Sequence, residues 1–287
     1  MTLMARETFQ IGDLTAVIGD NEGYEGHRAG YNGVHRLTHR TNLKSLFTVT
    51  GLNLEHIFDG DHELRGDNKV FFEPRNAPMT FAKISENEAE LHQSPTPTFH
   101  LESWTRFKLV APHYIDIVFR CKPHQHVFTN GYIGLFWATY IDAPENKSIY
   151  FRDDKGWVQF CTQAHNDEST VLHVNDRTAL KFAPDTRPTL FKNLSPLRFS
   201  DPLYYGFCGS HQYILMFDRT DGIRFSHSPS GGGPPSATET AWDWQFIIPD
   251  YEVAQDYGYR ARVAYRERCS QDEVLGEYKN WRATLKK

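Results

Sequence analysis

The chain has 287 residues, 39% hydrophobic and 14% aromatic, enough to bury a substantial core. Its formal charge of −5 gives no electrostatic footprint for nucleic acid or an anionic membrane surface. No apolar run approaches the ~18 residues of a membrane span, and the opening "MTLMARETFQIGDL" has no signal-type apolar core, so the chain reads as cytoplasmic; removal of a leader would leave the same start in a periplasmic or secreted protein.

Along the chain, short period-two runs punctuated by turn residues give an all-β signal. Predicted strands cover residues 8–11, 14–18, 34–38, 70–73, 79–84, 88–92, 99–110 and 114–122. They continue over 131–141, 148–152, 170–174, 213–218, 223–227, 242–248 and 257–266. That count suits two large packed sheets in a single domain spanning 1–287, with a jelly roll as the alternative. "APHY" joins two long runs, and Asp221-Gly222 in "DRTDGIRF" predicts a hairpin. "HSPSGGGPPSATET" reads as a surface loop, not a phosphate cradle, because its glycines follow no strand-to-helix pattern. Only the tail is helical: Ser270 and Glu273 form a capping box, and Val274, Leu275, Tyr278, Trp281 and Leu285 recur on one face over about 270–285. The four cysteines are far apart and are expected to be buried free thiols.

The run "FHLESWTRFKL" places Phe99, Leu101, Phe107 and Leu109 on one face and His100, Glu102, Trp104 and Arg106 on the other. At about 7 Å between same-face neighbours the second row extends roughly 20 Å, longer than one sugar ring. An indole flanked by an imidazole, a carboxylate and a guanidinium suits a saccharide, whose ring has apolar C–H faces and a hydroxyl rim. Trp104 and Arg106 are therefore candidate substrate contacts, and Glu102 and His100 candidate catalytic groups. Glu102, between potentially cationic neighbours, is expected to stay ionised. An edge strand with solvated charges is the competing reading of the same residues.

Two further clusters carry titratable groups. His35 and His39, then His56, Asp59, Asp61 and His62 in a presumed loop, supply ligand types for a divalent metal such as zinc or calcium. His35, His39 and His56 form the candidate metal set, though their spacing matches no named motif. "TQAHNDESTV" crowds His165 and Asp167 at a strand mouth, where a general acid or base could sit. His35, His39 and His165 are the candidate proton donors. Arg75, in "EPRNAP", could neutralise an acidic sugar.

"RFKLVAPHYIDIVFRCKPH", "GYIGLFWATYID" and "WDWQFIIPDYEVAQDYGYRARVAYR" resemble the central and closing strands of the galactose mutarotase-like superfamily, over about the last two-thirds of the chain. The resemblance implies a β-supersandwich of the kind also used by polysaccharide lyases and glycoside hydrolases. The aldose epimerases' H-x-Y-F-N signature is replaced here by Trp137-Ala138-Thr139-Tyr140, and their catalytic base would fall near Asp243 or Trp244. Trp137 and Tyr140 join the candidate substrate contacts. The expectation is a carbohydrate-active enzyme cleaving a glycosidic bond in an oligo- or polysaccharide, as hydrolase or lyase. An epimerase and a non-catalytic carbohydrate-binding protein are the alternatives.

Overall fold

In the computed structural model, residues 5–23, 30–65, 67–184 and 188–285 are described. Two nine-stranded sheets make up almost all of the regular structure. The first runs in the order β1 (Arg6–Ile11), β2 (Leu14–Gly19), β3 (Gly33–His39), β4 (Phe47–Phe58), β9 (Tyr132–Ile141), β17 (Thr240–Pro249), β16 (Ile223–Ser228), β12 (Thr170–His173), β13 (Leu194–Phe199). The second is β11 (Trp157–Phe160), β10 (Ile149–Arg152), β14 (Leu203–Cys208), β15 (His211–Phe217), β18 (Tyr257–Glu267), β8 (Tyr114–Pro123), β7 (Leu101–Val110), β6 (Glu88–Gln93), β5 (Met79–Ser85). All pairings are antiparallel except β12 with β13.

The sheets bury one shared core, to which β4, β9 and β17 contribute Leu54, Trp137 and Trp244 and the second sheet contributes Phe119, Leu215 and Val263. The Trp137 and Trp244 rings stack across neighbouring strands, 5.4 Å apart and 4° from parallel. Alternate residues on the outer side of the first sheet form a second apolar cluster, with Phe58, Tyr132, Phe136 and Ile247 meeting Leu190 and Phe191. The second half of β4 and nearly all of β9 and β17 are covered on both sides, so their burial shows no wet face. The tail helix α3 (Gln271–Thr284) has the predicted capping box and lays Val274 and Trp281 on Leu203, Ile214 and Met216, outside the second sheet. No helix among the described residues is long and apolar enough to cross a membrane.

Several expectations are corrected. Residues 70–73 form no strand but lie in two short helical turns, α1 (Asn68–Phe71) and α2 (Glu73–Asn76). Asp67 caps the first through Lys69 N at 2.8 Å, and Pro74 occupies the first turn of the second. Asp221-Gly222 makes no hairpin: it carries the chain from β15 in the second sheet to β16 in the first, with Gly222 at φ +75°. The "APHY" hairpin between β7 and β8 forms as expected. Strands β4, β11, β13 and β14 have no counterpart among the predicted strands. Among the cysteines, only Cys121 is buried, whereas Cys161 is exposed.

Candidate functional site

A pocket of about 590 Å³ opens on the outer face of the first sheet. Its floor comes from β4, β9 and β17, and its walls from the α1–α2 segment, residues 188–191 and two loops carrying His165 and Gly232.

The decisive local feature is a β-bulge in β4. Leu54 pairs with Trp137 and His56 with Phe136, so Glu55 is the extra residue. In a regular strand Glu55 and His56 would point to opposite faces. The bulge turns both into the pocket, while Leu52, Leu54 and Ile57 all reach the inner core.

Glu55 is held by three donors. Arg75 Nη2 lies 2.8 Å from Oε2, His56 Nε2 lies 3.2 Å from Oε1, and the Tyr140 hydroxyl lies within 3.2 Å of both oxygens. Burial opposes its charge, but Arg75 and His56 outweigh burial and hold the carboxyl down at about 2. His56 Nδ1 meets the Phe71 carbonyl, which fixes the ring with Nε2 toward Glu55. Arg75 also donates to Asn53 Oδ1 at 3.2 Å and lies 4.0 Å from the centre of the Tyr31 ring. Its helical turn is anchored by Glu73, which accepts from Thr98 N and Phe99 N, and by Gln93, which donates to the Pro74 and Ala77 carbonyls.

Asp243, on β17, lines the same pocket in contrasting surroundings. Burial pushes its carboxyl well above the usual range, and the Glu55 charge adds to that against a bond from Thr139 N at 2.8 Å and the Arg75 charge. These surroundings favour its protonated form beside the Glu55 carboxylate. Burial and the Glu55 charge also hold the Tyr140 phenol protonated far above its ordinary range. His165 lies at the rim with Nδ1 2.8 Å from Ser228 Oγ, and burial lowers its pKa below 6.5.

Of the residues singled out from sequence, Arg75, Tyr140 and His165 come together here, with His56. Trp137 does not: β9 alternation turns it into the core, with none of its surface exposed. Asp167 is exposed in the His165 loop. Glu102, Trp104 and Arg106 lie on the outer face of the second sheet. His100 precedes β7 at φ +46° and so leaves the predicted row. Trp104 is stacked with His92 from β6 and capped by Arg120 from β8, 3.8 Å from the ring centre, so neighbouring strands cover both indole faces. Glu102 bonds His92 and His124 at 2.8 Å each, and Arg106 bonds Glu90.

The predicted metal set is not assembled. His39, at the end of β3, meets His211 and Thr41, whereas His56 serves Glu55, and His35 packs against Gly19. Among the described residues no group of three His, Cys, Asp or Glu side chains is arranged to hold a metal ion. Glu55 and Asp243 are the site residues sequence reasoning left unassigned. The phase change in "LNLEHIF", from Leu52 and Leu54 to Ile57, was the available signal for the first. For Asp243, it was the position near which the epimerase resemblance puts a base.

No protein-family model matches the chain, and no curated protein matches it either. Among solved structures it is similar to an Escherichia coli K12 protein provisionally assigned as an aldose 1-epimerase, at 9% identity and TM-score 0.54, covering 92% of this chain and 99% of that one. It is also similar to the α-N-acetylgalactosaminidase NagBb of Bifidobacterium bifidum, solved with GalNAc, at 10% identity and TM-score 0.55. A mutant of the heparan sulfate lyase HepC of Pedobacter heparinus matches at 9% identity and TM-score 0.50. The matches cover 96% and 94% of this chain but only 38% and 36% of those two proteins. At such identities the likeness concerns architecture alone: this chain shares the β-sandwich fold of those structures.

Proposed function

We propose that the pocket performs acid-assisted chemistry at the anomeric centre of a saccharide. The observation that carries this reading is a pair of carboxyl groups lining one cavity in contrasting surroundings: Glu55 meets Arg75, His56 and Tyr140, which favour its charge, whereas Asp243 is buried with a bond from Thr139 N, and its burial favours the protonated form. Environments that drive two carboxyls apart in this way provide a proton donor and a fixed negative charge at the same pH. Asp243 gives its proton to an oxygen on the anomeric carbon. Glu55, held rigid by Arg75, His56 and Tyr140, faces the positive charge that develops there. The aromatic walls, Tyr31, Phe72 and Phe191 among them, suit the C–H faces of a sugar, and about 590 Å³ is within the range of small-ligand sites.

If the protonated oxygen is exocyclic, its bond to the anomeric carbon breaks, and water adds there and loses a proton to solvent, leaving a cleaved glycosidic bond in an oligo- or polysaccharide. If it is the ring oxygen, its bond to the anomeric carbon breaks while the anomeric hydroxyl gives a proton to solvent, and reclosure of the open-chain aldehyde from its other face, with both protons returned, gives the other anomer. One observation favours the second reading: this chain matches 99% of the protein assigned as an epimerase but little more than a third of the glycosidase and the lyase.

The experiment incubates the protein with neutral and uronate-containing sugars and follows anomeric protons by NMR, together with reducing ends and unsaturated-sugar absorbance. Turnover that falls at least ~100-fold in both Asp243→Asn and Glu55→Gln is expected, the usual scale for a lost acid or electrostatic group. Full activity in either variant, or binding without product across the panel, rejects the proposal; the latter outcome identifies a binding protein.

A further inference from the structure

We propose that Ser228 is a positioning residue whose hydroxyl fixes the His165 ring as the tautomer protonated on Nε2, presenting an N–H donor to the sugar. Only the identity of the recipient rests on the saccharide reading; the tautomer follows from the local hydrogen bonds.

Ser228 ends β16 and is fully buried at the pocket wall. Its Oγ accepts from Gly232 N at 3.3 Å and Ser230 N at 3.5 Å, and lies 2.8 Å from His165 Nδ1. A hydroxyl has two acceptor positions and one proton. With both acceptor positions taken by backbone N–H groups, the remaining bond is donated by Oγ–H, and Nδ1 must receive it. A ring that accepts at Nδ1 carries its proton on Nε2. With Nδ1 turned to Ser228, the Nε2 edge is left to meet a ligand.

The surrounding loops are built to keep this arrangement. Gly232 adopts φ +80°, which brings its N–H back to Ser228 and disfavours any side chain there. Lys147 Nζ donates to the Pro229 and Ala237 carbonyls at 2.6 Å each, clamping both ends of the glycine-rich segment. Thr240 Oγ1 holds the Ser228 carbonyl at 2.7 Å. On the other side, Asn193 ties down the Asn166 carbonyl next to His165. The segment read from sequence as a plain surface loop therefore supports a side chain in the pocket.

The test is long-range ¹H–¹⁵N NMR of the histidine rings in labelled full-length protein, with His165→Asn used only to identify the His165 signals. Expected are an unprotonated Nδ1 and a protonated Nε2 in the unaltered protein, retention in Ser228→Thr, and an averaged pair of tautomers in Ser228→Ala. The proposal also expects kcat to fall about tenfold in Ser228→Ala with KM little changed, the net worth of one hydrogen bond, and to recover in Ser228→Thr. A proton on Nδ1 or a mixture in the unaltered protein overturns the assignment. Unchanged kcat despite an altered tautomer overturns the positioning role. Absence of turnover on every sugar counts against the saccharide reading, while the NMR result still decides the tautomer.

Discussion

Glu55 and Glu102 form a natural comparison. Each lies on the outer face of its sheet, each bonds histidine, and each has arginine and aromatic residues nearby. The side chain of Glu55 is 8% exposed and that of Glu102 is 18% exposed, but the larger difference is what surrounds them. Glu55 sits on the floor of a pocket walled by the α1–α2 segment and the loops around it, with Asp243 lining the same pocket. Glu102 sits in a ladder of cross-strand pairs, and the tail helix packs elsewhere on that sheet. The same residue types give surface pairing in one place and a walled recess in the other; the surrounding walls make the difference.

Removing the cation from each side should give the largest contrast. Arg75→Met leaves a buried carboxylate short of its principal partner and should cost about 3–5 kcal/mol in urea denaturation. Arg106→Met, on the open face, should cost no more than about 1 kcal/mol. Equal losses would remove the distinction between the two regions.

The second test is pH. The folded-state carboxyl of Glu55 is depressed from 4.5 to about 2, so its stabilising contribution is complete above the unfolded value and disappears as pH falls through that window. The contribution is about 3 kcal/mol, and Glu55→Gln should flatten this acid limb. Asp243 has the opposite sign: its raised folded value withholds stability increasingly as pH climbs above 3.8. Asp243→Asn should therefore be more stable than the unaltered protein near pH 7 while losing turnover, with the gain shrinking toward about pH 3 in a denaturation series.

Smaller effects sharpen the picture. Tyr140→Phe removes one donor from Glu55 and should cost about 2 kcal/mol, with a raised Glu55 pKa seen as an earlier onset of acid unfolding. Glu102→Gln should change stability by less than about 1 kcal/mol and leave sugar turnover intact. Lost turnover there would bring the open row into the mechanism.

The sequence revealed strands best where one face is wet. β7 alternates almost perfectly between buried and accessible residues, and its span was legible to within two residues. β4 was missed because its second half is buried on both sides and its phase breaks at the bulge. Losing that strand also lost Glu55 as a candidate. Residues 70–73 misled because two phenylalanines beside a valine mimic a strand, while the Asp67 cap and Pro74 decide for helical turns. The tail helix was legible because its capping box and apolar stripe agree. Trp137 and Tyr140 were both singled out from "WATY", yet three positions apart on a strand they must face opposite sides, and only Tyr140 faces the pocket.

The pocket floor joins β4, β9 and β17, so neighbouring strands there come from residues 47–58, 132–141 and 240–249. Pairings this distant in sequence are slow to form and require large loops to close first. During synthesis the floor cannot exist until the segment through Pro249 has left the ribosome, because Asp243 and the strand beside Tyr140 arrive together. A nascent chain thus lacks this recess, which takes shape only in the last stage of its own assembly.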